Sequence, residues 1–208
     1  MQLSEELLAH YPIVSDQVDA GDIRLILDEL SATLARQVPG DIVEFGCYIG
    51  TTSLFIRRVL DRSPGTADRM LHVYDSFAGL PPKTIADASI AGTAFKAGEL
   101  AVSKKQLRRE FQRAGLHAPV VHKGWFDELT ARDVPPTIAF AFLDGDFYES
   151  ILSSLQLVWP RLAGGGTIVV DDYAREALPG VERAVRDFFH GRLPELRQTH
   201  GLAIMHKE

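Results

Sequence analysis

Four aspartates stand at the ends of two apolar runs. Ile138 to Glu149 reads IAFAFLDGDFYE and Thr167 to Tyr173 reads TIVVDDY, so Asp144, Asp146, Asp171 and Asp172 follow short stretches of aliphatic and aromatic residues. Such a run suits a parallel strand buried on both faces, which delivers the acidic residues at its C-terminal edge. In an open α/β sheet, ligands bind at that edge. Four carboxylates crowded there repel one another unless a positive charge sits among them. A hard divalent cation with oxygen ligands is the simplest such charge. The spacing therefore points to a metal site, and all-oxygen ligation favours Mg²⁺ over Zn²⁺.

Other strand ends carry groups suited to a nucleoside. Asp41 to Gly46 (DIVEFG) reads as a strand, and Gly50, Thr51, Thr52 and Ser53 open the following helix. A glycine turn between a strand and a helix N-terminus lets a ligand approach the backbone closely. Its G-x-x-x-G spacing departs from the G-x-G-x-x-G of dinucleotide-binding proteins. Met70 to Tyr74 forms the next strand and ends in Asp75, which is placed either to hold ribose hydroxyls or to cap a turn. Val120 to His122 leads into Lys123, Gly124, Trp125 and Phe126, an aromatic pair able to wall a flat ring such as adenine or to pack in the core.

The elements that must position these groups alternate from residue 41 onward, which implies an α/β fold with a doubly wound, mostly parallel sheet and its site along one edge. Ile23, Ile26, Leu27, Leu30 and Leu34 form one apolar stripe, so residues 1–38 read as a helical cover, with Gly21-Asp22 as the helix start. Helical spacing returns over Ala101–Ala114, Tyr148–Trp159 and from Val181 to Phe189. Gly164, Gly165 and Gly166 turn the chain into the strand from Thr167 to Val170, and Leu196 to Met205, centred on Gly201, reads as an antiparallel hairpin. Ser76 to Glu99 has no period and is interrupted by Gly79, Pro81, Pro82, Gly92 and Gly98. A stretch of that kind is a functional lid or a disordered segment, and Phe77 and Phe95 favour the lid.

Composition narrows the classes. The 208 residues suit one domain, 46% hydrophobic and 24% charged, with a formal charge of −6 that argues against a nucleic-acid partner. Lys104, Lys105, Arg108 and Arg109 read as the solvated face of a helix. The single cysteine, Cys47, fits a reducing compartment. No signal peptide or long apolar run is apparent, so a cytoplasmic protein without a membrane partner is expected.

The strings DIVEFGCYIGTTS, VYDSFAGLP, KGWF, LDGDFYES and VDDY followed by PGVERAV resemble the macrocin O-methyltransferase family, from Asp41 to about His190. That resemblance implies a class I methyltransferase fold of seven strands with helices on both faces, forming a single domain over residues 1–208. It implies an enzyme of antibiotic biosynthesis that uses S-adenosylmethionine and Mg²⁺ to methylate a sugar hydroxyl. Glu44, Gly46 and the Gly50 to Ser53 turn would bind the methionine part of the cofactor. Asp75 would take the ribose, Ser76 would also belong to the cofactor site, and Gly124, Trp125 and Phe126 would line the adenine. Asp144, which also borders the cofactor, would hold the metal together with Asp171 and Asp172.

Methyl transfer needs a hydroxyl that has lost its proton, and a metal lowers the pKa of an oxygen it coordinates. The related catechol-type enzymes place a lysine three positions after the first metal aspartate, where this chain has Phe147. Asp146 is then the expected base, acting beside Asp144, with His72 and His122 as weaker candidates. The partner is a small-molecule hydroxyl acceptor, and both monomer and homo-oligomer stay open. A catechol-type acceptor, a non-catalytic nucleoside-binding module and an NAD-dependent oxidoreductase are the competing readings.

Overall fold

The computed structural model describes residues 2–90 and 94–208. Five strands run parallel: β1 (Asp41–Phe45), β2 (Leu71–Asp75), β3 (Val120–Lys123), β4 (Ile138–Leu143) and β5 (Leu162–Val170). β6 (Leu196–Thr199) and β7 (Leu202–His206) form a hairpin, and β7 lies antiparallel to β5. The order β3-β2-β1-β4-β5-β7-β6 puts the reversal of winding between β1 and β4, where an open α/β sheet forms its crevice.

Period-two alternation sends each strand's side chains into two separate cores. Ile42, Val73, Phe140, Phe142 and Val169 pack on one face with α1 (Leu3–His10), α2 (Ala20–Ala35), α3 (Thr51–Arg62) and α4 (Lys104–Ala114). Val43, Phe45, Ala141, Leu143 and Val170 pack on the other with α5 (Tyr148–Val158) and α6 (Pro179–Phe188). Ile138–Leu143 is buried at every position, which is why its sequence is a continuous apolar run.

The N-terminal cover is two helices, not one. α2 begins earlier than its apolar stripe, because Asp19 is its N-cap and accepts hydrogen bonds from the N–H groups of Gly21 and Asp22. The expected turn at Gly164–Gly166 lies within β5, which starts at Leu162. A register shift against β4 and a left-handed Gly165 (φ 77°) absorb the irregularity there. Within Ser76–Glu99 the structure has a short 3₁₀ helix, Ile85–Asp87, while Ala91, Gly92 and Thr93 lie outside the described residues. Among the described residues no helix is long and apolar enough to cross a membrane.

Candidate active site

A cavity of about 290 Å³ opens beyond the C-terminal ends of the central strands. Gly46, Asp75, Ser76, Trp125 and Phe126 line one part of it, and Asp144, Asp146, Asp171 and Asp172 line another. Groups from five strand ends thus meet in one crevice. Phe126 is held there edge-on to Phe45 at 5.1 Å between ring centroids, the arrangement that ring quadrupoles favour.

The turn after β1 is tied down by Asp75. One carboxylate oxygen accepts from the Cys47 and Tyr48 amides (3.1 and 2.9 Å), and the other accepts from Phe77 N–H (2.7 Å). These bonds favour the charged form, but burial outweighs them and raises the Asp75 pKa. Tyr48 sits at φ 46°, a left-handed conformation unusual for a tyrosine. Cys47 is buried beside Asp75, and burial pushes its thiol well up, so it is inert at neutral pH.

Glu44 and the start of α3 stand behind this turn and do not line the cavity. Glu44 is buried and accepts a hydrogen bond from the Ser53 hydroxyl, and burial pushes its carboxyl up to about 8. Gly50 (φ 94°) begins α3 against Leu107, and Thr51, Thr52 and Ser53 are buried. Gly124 also lies outside the cavity lining, unlike its neighbours Trp125 and Phe126.

The four aspartates share one electrostatic environment. Oxygens of Asp144, Asp146 and Asp172 lie within 4.8 Å of one another, so Asp146 takes the place in the tightest trio that the sequence reading gives to Asp171. The Asp171 carboxylate instead accepts the Asp172 N–H at 2.8 Å. Burial is the largest cause of a raised pKa at all four. It brings Asp146 to about 7, with the Asp172 and Asp75 charges adding, and Asp171 to about 8, with Asp172 adding. Asp144 goes well up, because Asp171, Asp146 and Asp172 reinforce its burial, whereas Arg175 opposes the rise at Asp172. Both Asp146 (φ 59°) and Asp172 (φ 53°) are left-handed, a conformation that Asp tolerates better than most residues.

This donor set fits a hard divalent cation. It is all oxygen, and its carboxylates converge from the ends of β4 and β5. Among the described residues no protein group donates a hydrogen bond to the side chain of Asp144 or Asp146. Arg175 approaches the cluster, with its Nε 3.6 Å from an Asp172 oxygen.

The two histidines pair with each other instead of joining the site. His72 Nδ1 lies 3.1 Å from His122 Nε2 across β2 and β3, and neither lines the cavity. Phe147 is 1% exposed and packs in the core.

The cavity's outer walls are legible only in part: the Ser76–Glu99 stretch read as a lid supplies Leu80, Pro81 and Phe95, whereas Asp16, Gln17 and Leu100 escape sequence reasoning. Asp16 and Gln17 reach it from the irregular stretch between α1 and α2, and Leu80, Pro81, Phe95 and Leu100 form an apolar side. The first pair leaves one trace in the sequence, a break in helical apolar spacing between Val14 and Ile23 filled by SDQVDAGD.

With this geometry in place, comparison with known proteins is informative. Residues 20–195 match the family described as Macrocin-O-methyltransferase (TylF). A tetracenomycin enzyme of Streptomyces olivaceus, 8-demethyl-8-(2,3-dimethoxy-alpha-L-rhamnosyl)-tetracenomycin-C 4'-O-methyltransferase, is 38% identical over 154 residues, 71% of this chain and 58% of that one. Demethyldecarbamoylnovobiocin O-methyltransferase of Streptomyces niveus is 34% identical over 147 residues, 67% of this chain and 55% of that one. The chain thus spans a little over half the length of these two curated relatives. The solved structure of the O-methyltransferase NovP superposes with a TM-score of 0.73 at 27% identity, covering 90% of this chain and 78% of that one.

Proposed function

The chain belongs to the macrocin O-methyltransferase family, and from that premise we propose that it is an enzyme transferring the methyl group of S-adenosylmethionine to a small-molecule hydroxyl. We take the acceptor to be a sugar diol of a natural product and the metal to be Mg²⁺. The observation that carries this reading is the single cavity in which a glycine turn, a ribose-height aspartate and an aromatic pair face four converging aspartates. The S. olivaceus relative, named for a rhamnosyl tetracenomycin, supports a sugar acceptor.

Position suggests the cofactor roles, and the family resemblance assigns the metal ligands. Gly46 lets the cofactor's methionine end approach the backbone of the first turn. Asp75 holds the ribose, and Trp125 and Phe126 flank the adenine. Asp144, Asp171 and Asp172 would hold Mg²⁺, which would supply Lewis-acid activation of the acceptor hydroxyl. Asp146 receives the hydroxyl proton, because its carboxylate lies within 4.8 Å of Asp144 and Asp172 and lines the same cavity. S-adenosylmethionine would supply the electrophilic methyl group to that oxygen, its sulfur leaving with the electron pair of the broken bond as a neutral thioether. Leu80, Pro81, Phe95 and Leu100 keep water from competing as the nucleophile.

Calorimetric titration with S-adenosylmethionine and, separately, with Mg²⁺ tests this proposal. Wild type is expected to bind both, and an Asp144→Ala, Asp171→Ala double variant to keep the cofactor and lose the metal. Absence of cofactor binding in wild type would overturn the reading.

A further inference from the structure

The turn that carries Asp144 and Asp146 ends in a helix that lacks an N-cap of its own. Phe147 occupies the N-cap position of α5, an apolar residue that offers no acceptor to the helix's first N–H groups. The acceptor comes from 61 residues earlier in the chain: Asp87 Oδ1 takes the Tyr148 N–H at 2.7 Å. Asp87 is only 2% exposed. Its other oxygen accepts from Thr84 N–H and the Thr84 hydroxyl at 2.9 and 2.8 Å, which closes the 3₁₀ turn Ile85–Asp87 around it.

Asp87 is also seated against α6. A Cβ on Gly180 would fall 2.0 Å from Asp87 Oδ1 and 2.9 Å from Tyr148 N, so the carboxylate fills space that only a glycine leaves open. Two further bonds hold the same segment: Arg183 Nη1 donates to the Ala86 carbonyl (2.6 Å) and the Ser89 hydroxyl to the Ala177 carbonyl (3.1 Å). The Leu80–Pro81 wall of the cavity and the Asp144–Asp146 turn are therefore fastened through one buried side chain.

We infer that Asp87 is a positioning residue that sets the Asp144–Asp146 turn for metal binding by capping α5 from the segment that walls the cavity. This rests on the metal-dependent reading above. A partner that orients a metal ligand commonly contributes a factor of ten or more to metal affinity.

The test is calorimetry of Mg²⁺ and S-adenosylmethionine binding, with thermal melting and hydrogen exchange of the Tyr148 amide, on wild type, Asp87→Ala, Asp87→Asn and Gly180→Ala. Asp87→Ala should weaken Mg²⁺ about tenfold and speed Tyr148 exchange while cofactor affinity holds. Asp87→Asn keeps an oxygen for Tyr148 and should recover part of the loss. Gly180→Ala leaves Asp87 intact but pushes it off the cap, and should reproduce the Asp87→Ala result even if that variant folds poorly. Wild-type Mg²⁺ affinity in folded Gly180→Ala and Asp87→Asn would overturn the inference, as would a parallel fall of both affinities with melting temperature. Failure of wild type itself to bind Mg²⁺ would remove the metal reading and this inference with it.

Discussion

Gly46 and Asp144 touch across adjacent strand ends: a Cβ on Gly46 would lie 1.8 Å from the Asp144 carbonyl oxygen, and the Asp144 N–H donates to the Phe45 carbonyl at 2.8 Å. The glycine-turn side and the carboxylate side of the cavity therefore meet at a point with no room for a side chain. Gly46→Ala combines this clash with a backbone at φ 85°, and should cost at least about 2 kcal/mol of stability as well as cofactor binding. Thermal melting and cofactor titration would show it. An alanine variant that melts and binds like wild type would mean that this junction yields easily.

Asp75 serves three backbone donors with two oxygens, and an amide can match only part of that set. Asp75→Asn should turn an NH₂ toward either Phe77 N–H or the Cys47 and Tyr48 amides, costing about 1–3 kcal/mol. The first turn would loosen with it. Calorimetry should register a cofactor affinity lower by about tenfold or more, because the carboxylate proposed to hold the ribose is lost as well.

Stability of the metal-free protein should fall as pH rises from about 4 to about 8. Glu44 and Asp171 (each about 8) and Asp146 (about 7) hold protons in the folded state that the unfolded chain releases near the ordinary carboxylate range. Between those limits the folded state binds more protons, so raising pH favours unfolding. A divalent cation needs the deprotonated carboxylates and binds only the folded site, so it should offset the loss most at the upper end. Melting temperatures at pH 5, 6, 7 and 8, with chelator and with Mg²⁺, would test the sign. A chelated protein that grows more stable from pH 5 to 8 would contradict these shifts.

Much of this arrangement is legible in the chain because strands buried on both faces announce themselves. Ile138–Leu143 and the apolar end of β5 have no polar position until the carboxylates, and the hairpin around Gly201 follows from the same local logic. What is not legible depends on partners distant in sequence. The cap of α5 comes from Asp87, while Phe147 gives no local hint of an acceptor. Glu44 reads like a ligand-facing acid, yet it sits in a strand whose period-two alternation turns it inward to Ser53. Asp146, and not Asp171, groups with Asp144 and Asp172, and the left-handed backbone at residues 146 and 172 is a feature that no spacing rule specifies.

Asp146 stands within the carboxylate trio and is also the proposed base, and one substitution separates those roles. Asparagine is nearly isosteric and tolerates the left-handed backbone at φ 59°, so Asp146→Asn should leave the turn in place. It cannot accept a proton. If Asp146 is the base, turnover on a deoxysugar diol should fall by about a hundredfold or more while Mg²⁺ and cofactor affinities are held. If Asp146 is instead a metal ligand, Mg²⁺ affinity should fall with turnover, and raising Mg²⁺ should restore part of the rate. Near-normal turnover at ordinary Mg²⁺ would exclude both roles for Asp146.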